Sequence, residues 1–244
     1  MIFNLFQESP LTLIRAIQVY VVQGSLIPYF MFLVYKILKR DKKRLNYIFS
    51  FTYIINIIAC LVNFIYAPFS YEPVVLFLNF LTTILIAIST IFNLIFILII
   101  LKSEKVINLK KQILIIGVYC FALVMSIFIY YNPELGITMN STTKWVPVWK
   151  WPLFLYITGI LTFYVVIPGF YYIRKVYKKF EDKDLKKKWG IFFIGQTMLY
   201  ILIYLGYLAN TLNVQSIRTI FSIISLFFVI FGAYGTYYGV LRQL

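Results

Sequence analysis

Thr52, Asn56, Cys60 and Asn63 recur at intervals of four, four and three, which puts them on one face of a helix. Three further runs follow the same spacing. They are Asn79, Thr82/Thr83, Ser89/Thr90 and Asn93; Gln196, Tyr200, Tyr207 and Asn210; and Ser222, Ser225, Gly232, Thr236 and Gly239. These are amides, hydroxyls and small residues, equipped to hydrogen-bond but not to shuttle protons near neutral pH. The usual proton carriers are missing from the apolar runs. There is no histidine, and all eight acidic residues (Glu8, Asp41, Glu72, Glu104, Glu134, Glu181, Asp182 and Asp184) fall in termini or between those runs. General acid–base catalysis, proton relays and ion-coupled carriers need such groups at depth. The expectation is a non-enzymatic protein with no cofactor and no metal site. Cys60 and Cys120 lie in separate apolar runs and read as small buried thiols, with a disulfide or metal pair as the alternative.

The stripes admit two chemistries. One is adhesion between helices, since small and hydroxylated residues allow close approach and hydrogen bonds across an interface. The other is a polar cavity, whose best location is the outer half of the protein, where Arg15, Gln18, Asn63, Asn79, Tyr207, Asn210 and Arg218 fall together. Two arginines with amides and phenols suit an anionic headgroup or a small acid. The competing reading for Arg15 and Arg218 is that they snorkel to lipid phosphates. Gly235 and Gly239 form a GxxxG pair, expected to pack helices within the molecule, with a dimer face as the alternative.

The elements that must position these residues are membrane helices. The chain is 62% hydrophobic and 13% charged, against about 25% charged in soluble domains. Apolar stretches long enough to span a bilayer occupy about 11–38, 45–67, 73–101, 112–131, 151–173, 189–210 and 219–241. Pro28 is expected to bend the first of them. The N-terminal stretch lacks a basic region ahead of its apolar run, so no cleavable signal peptide is expected. Nothing marks a soluble domain, and 1–244 reads as one membrane domain.

A net charge of +15 would ordinarily suggest nucleic acid, but the basic residues gather in the segments between spans. The stretch 172–189, YIRKVYKKFEDKDLKKKW, holds eight of them and fixes the topology as an inner loop. On that assignment nineteen of the 23 lysines and arginines, Arg242 included, face inward. Only Arg15, Lys144, Lys150 and Arg218 face outward. The fold class is therefore an all-α, seven-transmembrane-helix bundle, multi-pass in a cell membrane, with its N-terminus outside and C-terminus cytoplasmic. The basic inner loops are suited to anionic lipids, each residue contributing about 1 kcal/mol near such a leaflet. No internal repeat marks a duplicated transporter. A retinal Schiff base is excluded because 219–241 contains no lysine.

Aromatic residues cluster at both boundaries: Trp145, Trp149 and Trp151 in the longest outer loop, and Trp189, Tyr171, Tyr172 and Tyr177 on the inner side. They read as an interfacial belt, with a lid over an outer pocket as the alternative for 145–151. Asn140-Ser141-Thr142 is a glycosylation sequon in a cell that has the machinery.

Three stretches, KILKRDKKRLNYIFS, NPELGITMNSTTKWVPVWKWPLFLY and DLKKKWGIFFIGQTMLYILIYLGYLAN with its following helix to GTYYGVLRQL, carry a resemblance. In layout the chain resembles the seven-helix N-terminal sensor region of prokaryotic and archaeal histidine kinases. The resemblance implies ligand or membrane-state sensing by the bundle, with the last helix passing the signal to the cytoplasm. The sequence stops at Leu244 and has no phosphoacceptor histidine, so a sensor module acting through a cytoplasmic signalling partner is expected. Two alternatives stay open: a small-solute transporter or channel without ion coupling, and a structural or assembly subunit.

Overall fold

The computed structural model describes residues 13–241. Within them, seven helices are long and apolar enough to cross a membrane. They are α1, Ile17–Arg40; α2, Arg44–Tyr66; α3, Glu72–Lys102; α4, Leu109–Tyr130; α5, Trp151–Lys179; α6, Lys183–Leu212; and α7, Gln215–Leu241. The links α1–α2, α5–α6 and α6–α7 are two or three residues long, which makes those neighbours antiparallel. One end of the bundle, here the basic end, gathers the described lysines and arginines other than Arg15, Lys144, Lys150 and Arg218. The other, the hairpin end, carries the long α4–α5 connection. The expected first-helix start at 11–12, Glu8 and Arg242 lie outside the described residues.

The helix bounds differ from the sequence expectation most at 172–189. That stretch is not a loop: α5 continues to Lys179 and α6 begins at Lys183, with a break only at 180–182. Lysine and arginine are good helix formers. The new helix start is capped by Asp182, whose carboxylate accepts from the Asp184 backbone N–H at 2.8 Å, and Asp184 pairs with Lys188 one turn on. Trp189 also departs from its expected place at an interface. It is fully buried, stacks on Phe192 and donates from Nε1 to the Ile173 carbonyl at 2.9 Å, fastening α6 to α5. Tyr171 and Tyr177 are exposed as a belt requires.

Pro28 sits inside the regular helix Gly24–Arg40, and the irregularity lies before it, as π-helix over Ile17–Gln23. A second π segment, Thr162–Val166, interrupts α5. Both widen the helix locally, a device common at functional sites.

α3 is the central strut. Of its most apolar window 67% is buried, against at most 33% in any other span. A helix that is apolar all round belongs in the interior, and α3 carries no charge between its terminal residues Glu72 and Lys102. Toward the basic end, Phe49 of α2, Phe96 of α3 and Phe192 of α6 form a packed layer, with ring centroids 4.7 Å apart for Phe49–Phe96 and 6.1 Å for Phe96–Phe192. None is more than 1% exposed. Cys60 and Cys120 are free thiols and only partly buried, less so than the sequence suggested.

α6 and α7 pack more closely than side chains would allow. A Cβ at Gly239 would fall 2.6 Å from the Lys188 carbonyl, and one at Gly235 would fall 3.3 Å from the Gly195 Cα. The GxxxG pair thus faces α6 of the same molecule.

The α4–α5 connection is not an open loop. Asn132 ends the helix by accepting at Oδ1 from the backbone N–H groups of Glu134 and Leu135. β1, Ile137–Thr138, then pairs antiparallel with β2, Val148–Trp149, in the register Ile137↔Trp149 and Thr138↔Val148. Lys144 and Trp145 turn the ribbon in left-handed backbone conformation, at φ 52° and 58°.

Candidate functional site

A cavity of about 820 Å³ lies inside the hairpin end, walled by α1, α2, α3, α6 and α7 and roofed by the β hairpin. Neither α4 nor α5 contributes to its wall. Along α6 it runs from Asn210 to Gln196, fourteen residues, or roughly 20 Å of helix. One helical turn beyond its deepest residues, Thr52, Asn93 and Gln196, the Phe49–Phe96–Phe192 layer closes the bundle. The cavity is therefore partly open at one end and sealed at the other.

Its walls differ in character. The α2–α3 wall is largely polar, because the two striped faces meet there: Thr52, Asn56 and Asn63 on α2 with Asn79, Thr83 and Asn93 on α3, broken by Ala59 and Ile86. Most of its hydroxyls donate inside the protein. Thr82, Thr83, Ser89 and Thr90 donate to carbonyls of their own helix at 2.7–2.9 Å, and Thr52 donates to Asn93 Oδ1 at 3.1 Å. A hydroxyl whose proton is so engaged offers only lone pairs to a ligand. The opposite wall, from α1, α6 and α7, is largely apolar, with Val22, Leu26, Leu199, Ile203 and Val229.

At the floor, Gln196 is completely buried, and neither its Oε1 nor its Nε2 has a hydrogen-bond partner among the described residues. The hydroxyls of Tyr200 and Tyr207, farther along the same helix, also have no hydrogen-bond partner among the described residues, and that of Tyr200 faces α5, 3.4 Å from where a Cβ on Gly169 would stand. A buried unpaired polar group costs about 1–3 kcal/mol. Such groups persist where something other than the chain, water or a ligand, completes their bonding.

The mouth is positive. Arg15, Lys144 and Arg218 are the charged residues of the wall, and no carboxylate lines it among the described residues. Arg15 is only 7% exposed. Arg218 is half-buried and donates from Nη2 to the Pro147 carbonyl at 2.7 Å, tying α7 to the hairpin, while its Nε has no hydrogen-bond partner among the described residues. Trp149 stacks on Tyr207, centroids 4.7 Å apart, and its buried Nε1 is also unpartnered there.

The structure brings all seven residues of the expected outer cluster to this one cavity: Arg15, Gln18, Asn63, Asn79, Tyr207, Asn210 and Arg218. Their bonding varies. Asn79 is held on both sides, donating to the Tyr66 hydroxyl and accepting from Tyr130, each at 2.7 Å, while Asn63 donates to Gln23 Oε1. Arg15 is buried rather than extended into the lipid interface, and Arg218 is anchored to the hairpin. Trp145 and Trp149, in the hairpin, are buried, while Trp151 alone of the three is exposed. The floor was not in the expected cluster. Gln196 and Tyr200 share a helix face with Tyr207 and Asn210, so the stripe itself carried the signal.

Comparison with known proteins finds no protein family, curated protein or solved structure that matches this chain. What the fold and site define is a class: a bundle with seven helices of membrane-spanning length and a deep cavity at one end, polar along one wall and apolar along the other.

Proposed function

We propose that this chain is a receptor-type integral membrane protein, non-enzymatic, that binds a small molecule in the cavity from the outer face and passes its occupancy to a cytoplasmic partner. On this reading the basic end faces the cytoplasm, because short lysine- and arginine-rich segments resist translocation. The hairpin end then faces out, and the basic helix ends lie against anionic lipid.

The observation that carries the reading is the floor. Gln196 lines a cavity of ligand size, 300–1,000 Å³ being the usual range, and neither of its amide atoms has a hydrogen-bond partner among the described residues. Output through α7 is supported by how tightly that helix is tied to the cavity wall. Its Thr236 hydroxyl is 2.7 Å from that of Tyr53, a lining residue, and its glycines lie directly on α6.

Native mass spectrometry of the full chain, extracted gently from its own membrane, tests the reading. The wild type retains one small molecule in stoichiometric amount, and the Arg15→Gln/Arg218→Gln double variant, still folded, loses it. A wild-type chain that retains nothing would sink the receptor reading. A retained molecule that also crosses proteoliposome membranes through the protein would replace it with transport, since a cavity open at one end and sealed at the other is also one state of an alternating-access carrier.

A further inference from the structure

We infer that a lipid headgroup carrying two phosphates binds at the basic end, in the cleft between the ends of α3 and α5. The site is separate from the cavity, and it stands or falls without the receptor reading.

The cleft has a volume of about 410 Å³ and is lined by Leu101 and Lys102 of α3 and by Lys175, Lys178 and Lys179 of α5. Four ammonium groups thus surround one space, and no carboxylate lines it among the described residues. Glu104, Glu181 and Asp182 follow these lysines closely in the chain but pair with none of them. The salt bridges among the described residues are Lys43–Asp41 and Lys188–Asp184. Like charges gathered in this way repel one another. An anion placed between them gains its own attraction and relieves that repulsion. One phosphate would leave most of the charge unbalanced, whereas two phosphates match four lysines.

Two of the lysines are held in place. Lys179 donates from Nζ to the Leu101 carbonyl at 3.3 Å, closing the cleft between the helix ends. An ammonium has three donors, so two remain for a ligand. Lys175 folds back by one turn, with its Nζ 4.4 Å from the centre of the Tyr171 ring.

That tyrosine joins the cleft to the bilayer. Phe163, Ile167 and Tyr171 recur every four residues along α5, each more than half exposed, and the stripe ends at Lys175. α5 is long and apolar enough to cross a membrane, so its exposed apolar stripe lies against acyl chains. A tyrosine at the end of such a stripe marks the level of the headgroups. A lipid whose chains follow the stripe brings its phosphates to the four lysines. Basic pockets between membrane helices suit doubly charged headgroups for the same reason. A soluble polyanion would need the lysines but not the stripe.

The test is native mass spectrometry of the full chain in detergent, titrated with defined lipids. Cardiolipin and phosphatidylinositol 4-phosphate carry two phosphates; phosphatidylglycerol and phosphatidylinositol are their counterparts with one. The wild type binds one molecule of at least one two-phosphate lipid ten-fold or more tightly than its counterpart. In Lys175→Gln/Lys178→Gln the difference falls to two-fold or less. Lys36→Gln/Lys39→Gln, which removes the same charge from the end of α1, keeps the preference, and so does Arg15→Gln/Arg218→Gln at the cavity.

A wild type without the preference overturns the site, even where a variant fails to fold. So does a cleft variant that keeps it, or an equal loss in the α1 variant, which would mean diffuse charge rather than a cleft. Inorganic pyrophosphate binding as tightly as the preferred lipid would replace the lipid with a soluble anion.

Discussion

A Cβ placed on Gly195 would stand 2.6 Å from the carbonyl oxygen of Gly232, so α6 and α7 touch backbone to backbone at that level. The next residue in the chain is Gln196 on the cavity floor, whose amide atoms have no hydrogen-bond partner among the described residues. The position that meets a bound molecule and the position that meets α7 are therefore adjacent on one helix. Any ligand that turns or shifts α6 at Gln196 must move this backbone-to-backbone crossing, because a packed glycine contact has no side chain to absorb the displacement.

Gly195→Ala is accordingly expected to destabilise the protein by about 1–3 kcal/mol, the usual cost of forcing atoms into a filled interface. The methyl would meet the backbone of Gly232 and of Thr236, at 2.6 and 2.7 Å, and neither can swing aside. Gly117→Ala is the matched control. Nothing lies within 4 Å of a Cβ there, and alanine is the better helix former. Thermal melting of the two variants in the same detergent should show Gly195→Ala below wild type and Gly117→Ala at or above it. Equal melting points would mean that the crossing is looser than the geometry gives.

Gln196→Leu should separate stability from binding. Leucine removes two buried polar atoms that have no partners among the described residues, a change worth about 1–3 kcal/mol in favour of the empty protein. The same change deletes the floor of the site. The expected outcome is a higher melting point together with loss of the co-purifying molecule, the trade between stability and function typical of binding residues. A lower melting point with ligand retained would make Gln196 a structural residue.

Much of this was legible in the sequence, and for identifiable reasons. Apolar runs of bilayer length dictate helices, and the stripes through Asn63, Asn79 and Tyr207 dictate which faces turn inward, so the seven residues at one end could be grouped before their contacts were visible. The hairpin was not legible: Ile137–Thr138 and Val148–Trp149 are two-residue strands, too short for an alternating pattern. The helical extension of α5 and α6 past the apolar runs was hidden because span length follows hydrophobicity, whereas helix length also follows propensity and capping. The floor was missed for another reason. Nothing in residue type distinguishes Asn79, satisfied on both sides, from Gln196, satisfied on neither among the described residues.

Arg218 should act as the hairpin's tether. Its bond to the Pro147 carbonyl is charge-assisted, and such bonds contribute about 1.5–3 kcal/mol. In Arg218→Met the hairpin should open more often. Hydrogen–deuterium exchange is expected to rise ten-fold or more at the amide of Lys150, which bonds to the Gly136 carbonyl at 2.8 Å, and to stay unchanged at the basic end. Exchange that rises evenly through the molecule would instead report general destabilisation.

The proposed orientation can be read with single cysteines in a background lacking Cys60 and Cys120. In intact cells a membrane-impermeant maleimide should label Glu134→Cys on the hairpin side, whereas Lys187→Cys on α6 should react only after the membrane is opened. The reverse pattern would place the cavity on the cytoplasmic face and make its ligand an intracellular one.

The seal beneath the cavity gives the sharpest test of what kind of protein this is. Phe96 stands between Phe49 and Phe192 at centroid distances of 4.7 and 6.1 Å, fully buried, one turn below Asn93 on α3. Replacing it by alanine removes a ring from the layer that separates a positive vestibule from the basic end, at a stability cost of about 3–5 kcal/mol. Where the variant still folds, proteoliposomes carrying Phe96→Ala should leak chloride faster than potassium, because Arg15, Lys144 and Arg218 concentrate anions above the gap. The wild type should be tight to both. A wild type that already conducts would make the layer a gate and the protein a channel. A tight Phe96→Ala would show that the seal extends beyond these rings into the packing of Leu33, Ile37 and Trp189 around them.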